Sequence, residues 1–170
     1  MFVIHVFTLM LATTVVTDRC QLYRGLYPIV KVLDGDTVAF DVSSFMPAPL
    51  NTTLNLRVRG VDCPESGHRA MCGLEADLAA AATAYTTSWV RAHASTDIGI
   101  LLCTWDKYGG RVLGDVVSWS AGLFVPAYLS SGLLTTGHAV AYSGRGERHD
   151  WCVPGSCSAD AANQQPCMAP

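Results

Sequence analysis

Hydrophobic and polar positions alternate over residues 28–42, where the chain reads PIVKVLDGDTVAFDV. Val30 and Val32 precede an Asp34-Gly35 turn signal, and Val38, Phe40 and Val42 follow it. That pattern predicts a β-hairpin closed by an Asp-Gly turn. After a proline-bearing loop at 43–53, Leu54, Leu56 and Val58 fall on one face of a third strand, with Asn55, Arg57 and Arg59 on the other. The run Asp62-Cys63-Pro64-Glu65 ends it, because proline cannot donate to a ladder. Over 74–94 the period changes to that of a helix: Leu78, Ala82, Tyr85 and Trp89 follow Leu74 at spacings of three or four. Glu75 and Asp77 near its start and His93 near its end suit the helix macrodipole. Residues 98–105 and 112–119 predict two more strands around a turn at 106–110. Residues 126–136 predict a second helix, with Pro126 suited to its first turn. Strands, a helix, more strands and another helix make an α+β domain on a small antiparallel sheet or barrel.

The two ends break this pattern. Residues 2–16 are almost entirely apolar, short of the ~20 residues of a comfortable membrane span but suited to the h-region of a signal peptide. A signal peptide or hydrophobic anchor is therefore expected over 1–19, placing the protein outside the cell or on a membrane. No Lys or Arg precedes the run, and the alternative is a strand or helix lying on a cytoplasmic domain. Residues 146–170, rich in Gly, Ser, Pro and Cys, read as an irregular tail, leaving 20–145 as the folded domain.

Composition narrows the function classes. In 170 residues, 50% are hydrophobic and 15% charged, which suits one domain with a true core and excludes a disordered chain. A net charge of −3 argues against a basic protein that coats duplex DNA. A small acidic protein can still act on phosphates where a metal ion reverses the local sign. The seven cysteines cannot all pair within one chain, and none has CxxC spacing, so a zinc ribbon is not indicated. His149, Cys152, Cys157 and Cys167 could gather a metal, but disulfides suit a secreted chain better. Core positions are expected for Trp89, Trp105 and Trp119.

Three segments concentrate charge at turns and strand ends: Asp34-Gly35-Asp36-Thr37, residues 56–65 (LRVRGVDCPE) and residues 106–111 (DKYGGR). Such positions commonly mount functional side chains. The residue types suit phosphodiester cleavage. Carboxylates hold a hard cation through oxygen, another carboxylate can take a proton from water, and paired arginines can clamp a phosphate. Read singly, each segment also suits a plain turn or a solvated strand.

Together and in this order, VLDGDTV (32–38), LRVRGVDCPE (56–65) and DKYGGRVLGDV (106–116) resemble the signature of the staphylococcal (micrococcal) nuclease family, the thermonucleases. Glu75 and GHAVAY (137–142) also fit that layout, and the resemblance covers about 28–145. It implies an OB-fold, a five-stranded Greek-key β-barrel with about three α-helices. It implies a calcium-dependent endonuclease acting on DNA and RNA with little sequence preference, leaving 3′-phosphate and 5′-hydroxyl ends. By position, Asp36, Asp62 and the backbone carbonyl of Cys63 resemble the calcium ligands. Glu65 resembles the general base, and Arg57 and Arg111 the phosphate-binding arginines. Lys107 and Tyr108 resemble nucleotide contacts, Asp34 an acidic neighbour of the metal, and Tyr142 a tyrosine of the nucleotide pocket. The family pattern has one glycine where this chain has Gly109-Gly110, a longer turn able to displace Arg111. The Cys63 side chain is expected to be packed or paired, with Cys72 as a candidate partner. A monomer with no stable protein partner is expected. The alternatives are an OB module that binds nucleic acid or protein without cleaving, and a structure-selective repair or phage nuclease.

Overall fold

The alternation at 28–42 does fold into a hairpin. The computed structural model describes residues 20–25, 28–44, 52–93, 97–119 and 126–153. The expected signal or anchor at 1–19, and Cys157 and Cys167, lie outside them. An edge strand, β1 (Gln21–Arg24), precedes the hairpin strands β2 (Ile29–Asp34) and β3 (Thr37–Asp41). Asp34 pairs with Thr37, so the two-residue loop is Gly35-Asp36 and not the expected Asp34-Gly35. A Cβ on Gly35 would lie 2.7 Å from Ala82 Cβ and 2.9 Å from Cys63 Sγ. Close packing beneath a helix therefore selects this glycine. A register shift between Ile29 and Lys31 also breaks the expected alternation: Val30 faces solvent while Val32 packs against the core.

β4 (Thr53–Val58) lies beside β3, with Leu56 and Val58 buried as its alternation predicts. The short β5 (Val61–Asp62) and a single 3-10 turn at Gly67–Arg69 lead into α1 (Gly73–His93). β6 (Asp97–Trp105) and β7 (Arg111–Trp119) form the long antiparallel pair, and β7 runs parallel to β4. β8 (Ala127–Tyr128), α2 (Leu129–Thr135) and β9 (Val140–Ala141) complete the order. The main sheet runs β1-β6-β7-β4-β3-β2, with β8 added to β7, and β5 pairs with β9 in a two-stranded ladder. The class is α+β as expected. Among the described residues there are two α-helices, and the sheet path does not close into a barrel.

Two helix expectations need correction. The buried stripe of α1 is Glu75, Ala79, Ala82, Thr86 and Trp89, whereas Leu74 is exposed and Leu78 and Tyr85 are half-buried. Small residues at the contact let α1 sit directly on the hairpin turn, where the Thr86 hydroxyl donates to the Gly35 carbonyl at 2.6 Å. α2 starts at Leu129 and not at Pro126, because Ala127 and Tyr128 pair with Ser118 and Val117. The core gathers Val38, Phe40, Leu56, Val58, Ile100, Val112 and Val116 from the sheet with Ala82, Trp89, Leu129 and Leu133 from the helices. Trp105, expected in this core, is instead 62% exposed at the end of β6.

Disulfides join Cys20 to Cys103 and Cys72 to Cys152, and Cys63 is a buried free thiol. Cys63 therefore does not pair with Cys72, and Cys152 is not available as a thiolate for the metal cluster considered at 149–167.

Candidate active site

The hairpin turn, the ends of β4 and β5 and the loop before α1 converge on one spot. Asp36 and Asp62 are buried there, 2% and 0% exposed. Two carboxylates this far from water need a cationic partner. Arg57, reaching from β4, supplies one: Nη1 donates to Asp36 Oδ1 at 2.8 Å and Nη2 to Asp62 Oδ1 at 3.2 Å. Asp36 also accepts from the Thr37 hydroxyl at 3.1 Å and from the Cys63 amide at 3.3 Å. Burial nonetheless pushes the Asp36 carboxyl up to about 7, against the pull of Arg57. Asp34 sits behind it, accepts the Asp36 amide at 3.2 Å and adds a like charge that raises Asp36 further.

Glu65 follows Pro64 in the loop leading to α1. That loop is pinned from below by Glu75, whose Oε1 accepts from the Glu65 amide at 3.1 Å and whose Oε2 accepts from the Met71 amide at 2.6 Å. Glu75 thus orients Glu65 through its backbone. The Glu65 side chain pairs with Arg69 Nε at 3.1 Å and with Arg148.

The third segment forms the opposite wall. Gly109 and Gly110 adopt φ of +71° and +73°, and their Cβ directions open to solvent. This left-handed pair lets the longer turn close, with the Asp106 amide donating to the Arg111 carbonyl at 3.0 Å. Arg111 then sits at the start of β7, its Nε paired with Asp106. Burial tends to raise Asp106, but Arg111 and the Tyr108 amide hold it below the usual carboxylate range. Lys107 and Tyr108 lie exposed at the rim, with Lys107 Nζ 5.0 Å from the Tyr108 ring centre.

A cavity of about 440 Å³ is lined by Arg57, Glu65 and Arg111 together with Lys107, Tyr108 and Tyr142, whereas Asp34, Asp36, Asp62 and Cys63 do not line it, and Asp36 and Asp62 connect to it through Arg57. The extra glycine therefore leaves Arg111 facing the same cavity as Arg57. Arg59, Arg69, Arg145, Arg148 and Trp105 line it too. Compared with known proteins, the chain matches no family model and has no significant match among curated sequences.

Among the described residues, no three His, Cys, Asp or Glu side chains gather to hold a metal alone. A cation here would rest on Asp36, Asp62 and the Cys63 carbonyl. That donor set is all oxygen and fits a hard cation. All three members already accept from a guanidinium, because Arg57 bonds Asp36 and Asp62 and Arg148 bonds Asp62 and the Cys63 carbonyl. Sequence reading missed Arg69, which pairs with Glu65 and Asp34, and Arg148. Arg148 lies in the patternless tail, and its one sequence signal is that Cys152 follows four residues later.

Proposed function

We propose that this protein is a calcium-dependent endonuclease that hydrolyses phosphodiester bonds of DNA and RNA with little sequence preference. The observation that carries this reading is the convergence of Arg57, Glu65 and Arg111 on one cavity, with Arg57 also bridging the buried Asp36–Asp62 pair. Of eleven basic residues in a chain of net charge −3, seven line that cavity: Arg57, Arg59, Arg69, Lys107, Arg111, Arg145 and Arg148. Such segregation suits a polyanion. The three sequence segments resembling thermonucleases supply four of these seven, Arg57, Arg59, Lys107 and Arg111, and a partly open OB-type sheet is the proposed fold. Two disulfides support an oxidising, extracellular setting and hence secretion.

Asp36, Asp62 and the Cys63 carbonyl would hold calcium, which when bound polarises a phosphoryl oxygen as a Lewis acid. Arg57 and Arg111 grip the phosphate from two sides with forked hydrogen bonds and stabilise the charge that builds on it. Glu65 takes a proton from the water that attacks phosphorus in line with the departing 5′ oxygen. The 5′ oxygen leaves with a proton from solvent, giving a 3′-phosphate and a 5′-hydroxyl. Lys107 and Tyr108 steady the neighbouring nucleotide at the rim. Digestion of single-stranded DNA in calcium, compared with a chelator control, tests the proposal. Fragments whose 5′ ends accept a kinase-transferred phosphate without prior dephosphorylation are expected. Binding without cleavage in saturating calcium would instead favour a recognition module, a reading that the pairing of Arg148 with Asp62 keeps open.

A further inference from the structure

The acidic floor of the site already holds two guanidinium groups, Arg57 from β4 and Arg148 from the segment after β9. Arg148 Nε donates to Asp62 Oδ1 and Oδ2 at 2.9 and 3.1 Å, and Nη2 donates to Asp62 Oδ1 at 2.6 Å. Nη2 also reaches the Cys63 carbonyl at 3.3 Å, while Nη1 pairs with Glu65. One guanidinium thus engages two of the three groups assigned to calcium, together with the proposed base. An arginine stays charged at any physiological pH, so it acts as a permanent counter-ion.

The segment that delivers Arg148 has no regular secondary structure from Tyr142 to Val153, yet it is fastened at both ends. On one side β9 pairs with β5, and the Tyr142 amide donates to the Gly60 carbonyl at 3.0 Å. On the other, Trp151 is buried and Cys152 is bonded to Cys72, just ahead of α1. Between these anchors the strap crosses the site.

We propose that residues 143–152 form an autoinhibitory latch in which Arg148 competes with an external divalent cation for Asp62 and the Cys63 carbonyl, held in place by the Cys72–Cys152 disulfide. The inference rests on the calcium reading above. Tethering keeps the guanidinium at a high effective concentration over the carboxylates, so the resting site is closed to weakly held ions. A divalent ion carries twice the charge and displaces it when concentrated enough. Release of Arg148 also frees Glu65 from one of its two arginine partners.

Calcium titration calorimetry on the full oxidised chain, with hydrogen exchange over 143–153, tests the latch without any measure of cleavage. The variants are Arg148→Gln, Arg148→Lys and the double change Cys72→Ser/Cys152→Ser, which keeps Arg148 and the Cys20–Cys103 bond. Arg148→Gln and the double variant are expected to bind calcium about tenfold more tightly than the unaltered chain, with Arg148→Lys between. Saturating calcium should speed exchange in 143–153 of the unaltered chain and leave β6 unchanged. Equal affinities in all four proteins, or a strap equally protected with and without calcium, overturn the latch and leave the calcium site standing. A gain in Arg148→Gln alone reduces the effect to charge and overturns the tether. If neither the unaltered chain nor Arg148→Gln binds calcium up to about 10 mM, the calcium reading itself falls, and the latch with it.

Discussion

Arg57 and Arg111 face one cavity but are held by different neighbours, and the difference predicts different costs on removal. Arg57 is 17% exposed in its side chain and bridges two buried carboxylates. Arg57→Ala leaves Asp36 without a guanidinium, and is expected to cost about 3 kcal/mol of folding stability as well as turnover. Arg111 is 29% exposed and pairs with one buried carboxylate, Asp106, which also accepts the Tyr108 amide, so Arg111→Ala should cost about 1–2 kcal/mol. Both should lower turnover by about 10²–10³, as loss of a charged transition-state contact does. Urea titrations and initial rates on single-stranded DNA check this pair. An Arg111→Ala protein with undiminished turnover would remove Arg111 from the proposed mechanism. Charged turns and strand ends single out the segments that carry these arginines in the sequence, but only the resemblance to thermonucleases assigns them a phosphate. Arg148 was not legible, because it sits in a segment with no period to mark it, and its partner Asp62 lies 86 residues away.

At the scale of elements, packing corrected the sequence reading more than propensity did. Alternation located β3 and β4, but it could not place the bulge in β2 or the loop at Gly35-Asp36. Both depend on what lies across the fold. Ala82 and Trp89 lie on the buried face of α1 as expected, but Glu75, Ala79 and Thr86 fill it where the pattern expects the larger Leu74, Leu78 and Tyr85. Small ones, Ala79, Ala82 and Thr86, are what the hairpin turn allows. Gly35→Ala would force α1 and Cys63 off the turn that carries Asp36, and overpacking of this kind costs about 1–3 kcal/mol. Thermal melts should register that loss. A crystal structure of the variant should find Asp36 displaced from Arg57. The start of α2 gives a pH prediction. Asp115 on β7 accepts from the Ser130 amide at 3.2 Å, from the Val116 amide at 2.8 Å and from the Ser130 hydroxyl. Burial pushes its carboxyl from 3.8 up to about 6. In that window the native state holds more protons than the unfolded chain. The contribution of Asp115 is therefore full below about pH 4, falls as pH rises to about 6 and is flat above. Asp115→Asn should remove that fall. Its stability relative to the unaltered protein should climb across the window by at most about 3 kcal/mol. A pH-independent difference in urea titrations would show that Asp115 does not titrate there.

For the whole molecule, the decisive feature is that charge is sorted by place. The sequence yielded a net charge of −3 and an argument against coating duplex DNA. It could not reveal that seven of eleven basic residues would meet at one cavity, because they come from four separate stretches of chain. Nor could it reveal that Trp105, apolar and at a strand position, would stand exposed on the same wall beside Tyr108. Together these features predict how a single strand binds when chelator prevents cutting. Arg57, Arg69, Arg111 and Arg148 already pair with carboxylates, so only part of the basic lining releases counterions from the strand. The logarithm of affinity should fall with the logarithm of salt at a slope of about −2 to −3, equivalent to three or four phosphates. Lys107→Ala should make that slope shallower by about 0.7, because it removes one phosphate contact. Trp105→Ala should weaken binding by about 1–3 kcal/mol, the usual loss of one base-stacking surface, and leave the slope unchanged. Its exposure means that folding stability should barely move. Fluorescence titrations of a labelled oligonucleotide at several salt concentrations separate the two effects. If Trp105→Ala and Lys107→Ala both leave slope and affinity untouched, the strand does not lie along this wall, and the basic cavity serves some other anion.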